Sequence, residues 1–168
     1  MANIQFVDIG DEPIGGGTKE EAYEKGIRRR IIRVFLINSK REVLLQKRAE
    51  NLLSGSGKWD DSVAGHVDEG EEYAAAAQRE LGEELGISGT ELTEVAYFYK
   101  EDSVEPTGWK GFQRIYIGTY DGEVQPNPAE VSETKWITLP ELDLWMKDRP
   151  EDFTSSCIRS YGLVRKLL

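Results

Sequence analysis

Gly65-His66-Val67-Asp68-Glu69-Gly70-Glu71-Glu72-Tyr73-Ala74-Ala75-Ala76-Ala77-Gln78-Arg79-Glu80-Leu81-Gly82-Glu83-Glu84-Leu85-Gly86-Ile87 is the stretch from which the fold can be read. A glycine-bracketed acidic loop runs into four consecutive alanines, then Leu81 and Leu85 at i, i+4 spacing, and stops at Gly86. Strong helix formers closed by a glycine predict a helix over Glu72–Leu85. On that helix Glu80, Glu83 and Glu84 lie three and four residues apart, so their carboxylates share one side. Like charges this close repel by about a few tenths of a kcal/mol per pair. The arrangement makes sense when a divalent cation sits over it, because hard cations such as Mg²⁺ take oxygen ligands and join carboxylates to substrate phosphates. Arg79 stands four residues before Glu83 and is placed to hold its carboxylate. Gly65 and Gly70 allow a tight loop whose backbone approaches the site. The opposite face, with Ala74, Ala77, Leu81 and Leu85, is expected to pack on a sheet.

Outward from this stretch, strand-like and helical runs alternate irregularly. Residues 1–26 read as an N-terminal extension: a short strand, a Gly15-Gly16-Gly17 turn and a helical turn around Lys19–Lys25. Ile27–Asn38 is a strand whose second half is nearly continuous in apolar residues, which implies burial on both faces. Asn38-Ser39-Lys40-Arg41 is a turn, and Val43–Arg48 reads as the return strand of a hairpin. Further strands are expected at Glu94–Lys100, Phe112–Tyr120 and Trp136–Thr138. Leu139–Lys147 is an amphipathic helix, and residues 148–168 end in another, from Ser155 to Leu168. Strands and helices mixed without regular alternation indicate an α+β fold.

The chain has 168 residues, enough for a single domain spanning 1–168 at roughly 150 residues per domain. Its net charge of −10 argues against a nucleic-acid polymer as partner, because such binding neutralises phosphates with Lys and Arg. Phosphate chemistry in so acidic a chain calls for a bridging cation. A single cysteine, Cys157, excludes an internal disulfide, and with His66 the only histidine a structural zinc site lacks ligands. No apolar run approaches membrane-spanning length and the N-terminus lacks a signal-peptide layout, so a cytoplasmic protein without membrane attachment is expected.

The pattern Gly65, Glu71, Arg79-Glu80-Leu81, Glu83-Glu84, Gly86-Ile87 resembles the Nudix box at all nine of its defined positions. A chance match is on the order of one in a billion per starting position. The resemblance implies an α/β/α sandwich with a mixed sheet, and Mg²⁺- or Mn²⁺-dependent hydrolysis of a small-molecule diphosphate. It makes Glu80, Glu83 and Glu84 metal ligands, with a backbone carbonyl near Ala64 or Gly65 adding another. It also gives Arg79 and Glu71 orienting roles, and it admits a homodimer. The general base varies in the family: it is a box glutamate, such as Glu83 or Glu84, or a downstream one, with Glu130 the first candidate and Glu133 the second.

Outside the box, Val43–Arg48, Trp59–His66, Glu130–Glu133 and Pro150–Thr154 resemble the branch that includes isopentenyl diphosphate isomerase. That enzyme needs a cysteine where this chain has Ala64, and several histidine ligands where it has only His66. The expected activity is therefore a hydrolase; the alternatives are an isomerase-like protein and a non-catalytic nucleotide-binding module. Candidate substrate contacts are His66, Arg48 and Arg30. Trp59, Trp109 and Phe112 suit either base stacking or core packing, the loop Ser103–Gly111 either specificity or a plain hairpin tip, and Cys157 packing.

Overall fold

A computed structural model describes residues 2–52, 54–101 and 109–168. Among these residues nine strands and four α-helices follow in the order β1 (Ile4–Val7), β2 (Pro13–Gly17), α1 (Lys19–Glu24), β3 (Arg28–Ile37), β4 (Glu42–Arg48), β5 (Trp59–Asp60), β6 (Val63–His66), α2 (Tyr73–Leu85), β7 (Leu92–Glu101), β8 (Lys110–Thr119), β9 (Val131–Thr138), α3 (Leu139–Asp148) and α4 (Ser155–Val164). The part of the loop Ser103–Gly111 that runs to Gly108 lies outside the described residues.

Strand β3 organises the sheet. β8 pairs with it in parallel from Arg29 to Ile37 along one edge. The other edge is handed in turn to β1 at Arg28 and Arg29, to β6 from Ile31 to Val34, and to β4 at Ile37, all antiparallel. With both edges occupied, β3 leaves no room for the full hairpin expected with β4. Among the described residues their strand pairing is confined to Ile37 and Val43. β4 then diverges to pair with β9 along Glu42–Arg48 and with β5 at Gln46 and Lys47.

The apolar run in β3 serves two cores, one on each face of the pleat. Ile32, Val34 and Leu36 pack with Val63, Ala76, Ala77, Leu81, Leu85 and Ile87 beneath α2. Phe35 faces the other way, with Val43, Leu45, Trp59, Phe98, Ile115, Leu142, Phe153, Cys157 and Tyr161 beneath α3 and α4. The result is helix, mixed sheet, helices, the layering expected from sequence. Trp59 and Cys157 are core residues, and Trp59 stacks edge-on against Trp145 at 5.4 Å.

Helix α2 begins one residue later than expected, with Glu72 at its cap position, and ends at Gly86 in the left-handed region with φ +67°. Its buried stripe is Tyr73, Ala76, Ala77, Glu80, Leu81, Glu84 and Leu85. Ala74, expected on the packing face, is exposed, and Ala76 takes that place. The reason is that the helix is rotated to bury Glu80 and Glu84 beside Leu81 and Leu85. Helix α4 stops at Val164, short of Leu168.

The N-terminal extension joins the sheet rather than only resting on it. The β1 backbone bonds Val67 O through Gln5 N at 2.8 Å, and the Gln5 side chain accepts from Gly70 N at 2.8 Å. The acidic loop is thus clamped from the N-terminal side.

Candidate active site

β6 carries Gly65 directly beneath α2. A Cβ built at Gly65 would overlap the Glu80 carboxyl group, so only glycine allows that carboxylate to lie against the strand. Behind it, Arg79 is a hub. Its Nε and Nη2 donate to the two oxygens of Glu71 at 3.0 and 2.8 Å, and Nη2 also donates to His66 O at 2.9 Å. Its Nη1 donates to Glu80 at 2.9 Å and to Glu83 at 3.1 Å, the latter being the expected i, i+4 pair. Burial by itself would raise the Glu71 carboxyl pKa, but the Arg79 bonds and the Asp68 N–H outweigh it and hold Glu71 below the usual range. Helix and loop are therefore locked together through one guanidinium.

The acidic side chains divide by burial. Glu80 and Glu84 are 8% and 4% exposed. Burial, with Glu83 and Glu130 nearby, pushes the Glu80 carboxyl up to about 7 despite the opposing Arg79 charge. Glu84 is raised well above its ordinary range by burial and by the Glu80 charge; Gln46 Nε2 donates to it at 2.7 Å. Glu83 sits at the rim with its side chain 55% exposed. Glu130, just before β9, acts on both Glu80 and Glu84 through its charge. Its loop is tied to the helix by Asn127 N, which donates to Glu84 O at 2.8 Å. Glu133 is exposed on β9 opposite Lys47.

These residues fit a hard divalent cation. Burying carboxylates with too little positive charge is costly, and either a proton or a cation must relieve it. The donor set is all oxygen, as Mg²⁺ and Mn²⁺ prefer. Another acidic group, Asp60, Asp61 and Cys157, brings its ligand atoms within 4.8 Å of one another. It already holds a cation: Arg33 Nη1 donates to Asp60 at 2.9 Å and Asp61 at 2.8 Å. The oxygens of Glu80, Glu83 and Glu84 do not all come that close, with Arg79 placed between Glu80 and Glu83.

The sequence pattern of the NUDIX domain matches residues 27–157. An isopentenyl-diphosphate Delta-isomerase of Burkholderia multivorans is 37% identical over 89% of this chain and 85% of its own. An uncharacterised Nudix hydrolase of Pseudomonas aeruginosa is 35% identical over 84% of this chain and 80% of its own. The crystal structure of a Deinococcus radiodurans protein superposes with a TM-score of 0.72 at 25% identity, over 87% of this chain and 89% of that one. This chain belongs to the Nudix family.

In Nudix terms, the box spans β6, the loop clamped by Gln5, and α2. Among the candidate substrate contacts, Arg48 bridges two regions: its charge is felt by Glu84 and by His66, and it stands 3.7 Å from Asp60. His66 is kept neutral, its pKa lowered well below normal by burial and then by Lys19, Arg29, Arg48 and Arg79. Arg30 is otherwise engaged. Its Nε donates to Asp11 at 2.8 Å, and its guanidinium stacks on Tyr73 at 4.9 Å. Asp11 comes from the N-terminal hairpin, and nothing in its local sequence pairs it with Arg30. Gln46, Asn127 and Gln5 carry no local signal for the same reason: each meets the box from far along the chain. Arg33 did leave a signal, as a lone cation inside an apolar strand that had to find an acid partner.

Proposed function

We propose that the protein is a metal-dependent hydrolase that cleaves the diphosphate linkage of a nucleoside diphosphate derivative or related small molecule by attack of water on phosphorus. One observation carries the reading: two carboxylates, Glu80 and Glu84, are buried side by side with Arg79 reaching only one of them. In this reading Glu80, Glu83 and Glu84, with the Gly65 carbonyl, hold Mg²⁺ or Mn²⁺. The cation supplies neutralisation of charge on the phosphate oxygens. Arg79 positions Glu80 and Glu83 and fixes the loop. Glu130 takes the proton of the attacking water, with Glu83 or Glu84 as the box alternative. Arg48 meets the phosphate and His66 lines the path to the rest of the substrate. A net charge of −10 favours a small substrate over a nucleic-acid polymer.

The relatives named as isopentenyl-diphosphate isomerases support a second reading. Against it stand Ala64, which has no thiol, and the single histidine. Incubation with Mg²⁺ and a panel of ADP-ribose, UDP-glucose, ATP and isopentenyl diphosphate separates the two. The hydrolase reading expects phosphate-bond cleavage that falls at least a thousandfold in Glu83→Gln or Glu84→Gln. Formation of dimethylallyl diphosphate would install the isomerase instead, and tight binding with no turnover would leave a nucleotide-binding module.

A further inference from the structure

His66 and Gln113 share a row of the sheet. Ile31 of β3 pairs with His66 on β6 and with Gln113 on β8, so the two flank it on the same face. Strand spacing puts their Cα atoms roughly 10 Å apart. Gln113 is fully buried. Arg33 Nε, which can only donate, bonds the Gln113 amide oxygen and thereby fixes which way the amide points. Among the described residues the amide nitrogen is left with its N–H donors facing no partner, and the buried Nε2 atom of His66 has none either. Native proteins seldom leave such groups unpaired, and each one asks for a missing acceptor or donor.

The row grades from fully buried to half-buried. Ala64, Gly65 and His66 are only half-buried, in contrast to Ile31 and Gln113 beside them. Ala64 lies two residues from His66 on the same face of β6. The Gly65 backbone alone separates this face from the Glu80 carboxylate. Arg48 joins the two sides, since its charge is felt at both Glu84 and His66.

We infer that Gln113 and His66 form the recognition floor for the non-phosphate half of the substrate, and that this half is an oxygen-bearing polar group, a sugar or a base, rather than a hydrocarbon chain. The inference rests on the hydrolase reading for where the diphosphate lies. Gln113 Nε2 donates to a carbonyl or hydroxyl oxygen of the ligand. The cations Lys19, Arg29 and Arg48 around His66 favour oxygen-rich groups in the same place. An isoprenyl chain on this floor would leave the amide donor buried and unpaired, and sites built to hydrogen-bond a substrate discriminate strongly against analogues that cannot.

The test needs binding as well as turnover. ADP-ribose and, separately, isopentenyl diphosphate are titrated into ¹⁵N-labelled protein while the Gln113 side-chain NH₂ resonances are followed. ADP-ribose is expected to shift them and isopentenyl diphosphate to leave them unmoved. Gln113→Glu keeps an oxygen for Arg33 but removes the donor. Gln113→Leu removes both, and melting curves establish that each variant is folded. Either variant is expected to raise the KM or Kd for ADP-ribose about ten- to a hundredfold with no such rise for isopentenyl diphosphate. Unmoved Gln113 resonances on saturation with ADP-ribose, or equal losses for both ligands in Gln113→Glu, would overturn the inference and mean that water fills the row. Shifts without hydrolysis would preserve this floor while refuting the hydrolase reading. Hydrolysis indifferent to Gln113 would do the reverse.

Discussion

Gly65 and Glu80 are coupled by contact, so each can be tested through the other. Gly65→Ala forces a methyl group into the Glu80 carboxyl; overpacking of this kind costs about 1–3 kcal/mol. A drop in melting temperature together with lost hydrolysis is expected, and a variant of unchanged stability and activity would contradict the placement. Glu80 also carries a pH signature. Its pKa is raised to about 7, so below that pH the folded protein holds a proton where the cation is proposed to bind. Calorimetry with Mg²⁺ should therefore show affinity increasing from pH 6 to pH 8, with protons released on binding, and an affinity flat across that range would count against the assignment. The side-by-side spacing of these glutamates was legible in the sequence because helical periodicity fixes it. Their burial was not, because it depends on where β6 passes.

Helices α2 and α4 show what a local pattern can and cannot fix. The alanines and Gly86 fix the stop of α2 and its start to within one residue, but not its rotation, and Ala74 is exposed. Rotation is set by the partner surface, here the Gly65 gap that admits Glu80. Between α3 and α4, Arg165 and the Tyr161 hydroxyl both bond Asp143, Arg165 at 2.8 Å and Tyr161 at 2.7 Å, and hold its carboxyl below the usual range. A depressed carboxylate pKa adds stability above the unfolded-state value of 3.8 and loses it as pH falls through the folded value. Asp143→Asn should thus melt lower than wild type at pH 6, with the difference closing as pH drops below 3.8. A difference that persists unchanged at pH 3 would assign the effect to packing.

Long-range pairing decided what the sequence withheld. The β3–β4 hairpin was a sound local expectation, yet β1, β6 and β8 claim the edges of β3 and send β4 away to β9. The same convergence buries Arg33 with Asp60 and Asp61, and Ser160 of α4 closes the cluster by donating to Asp61 at 2.9 Å. Arg33→Met strands two buried carboxylates and should cost about 3–5 kcal/mol, read as a lowered denaturation midpoint; an unchanged midpoint would show that the pairing is dispensable. The fold, its layers and the box were readable because they repeat a local period or a fixed spacing. Gln46, Asn127, Asp11 and Gln113 were not, since each acquires its role only when distant strands meet. Two acidic clusters now compete for a divalent cation, and an anomalous difference map from a Mn²⁺-soaked crystal separates them. The expected result is a peak bounded by Glu80, Glu83 and Glu84 beside Gly65; a peak at Asp60 and Asp61, or none at the glutamates under saturating Mn²⁺, would contradict the metal assignment.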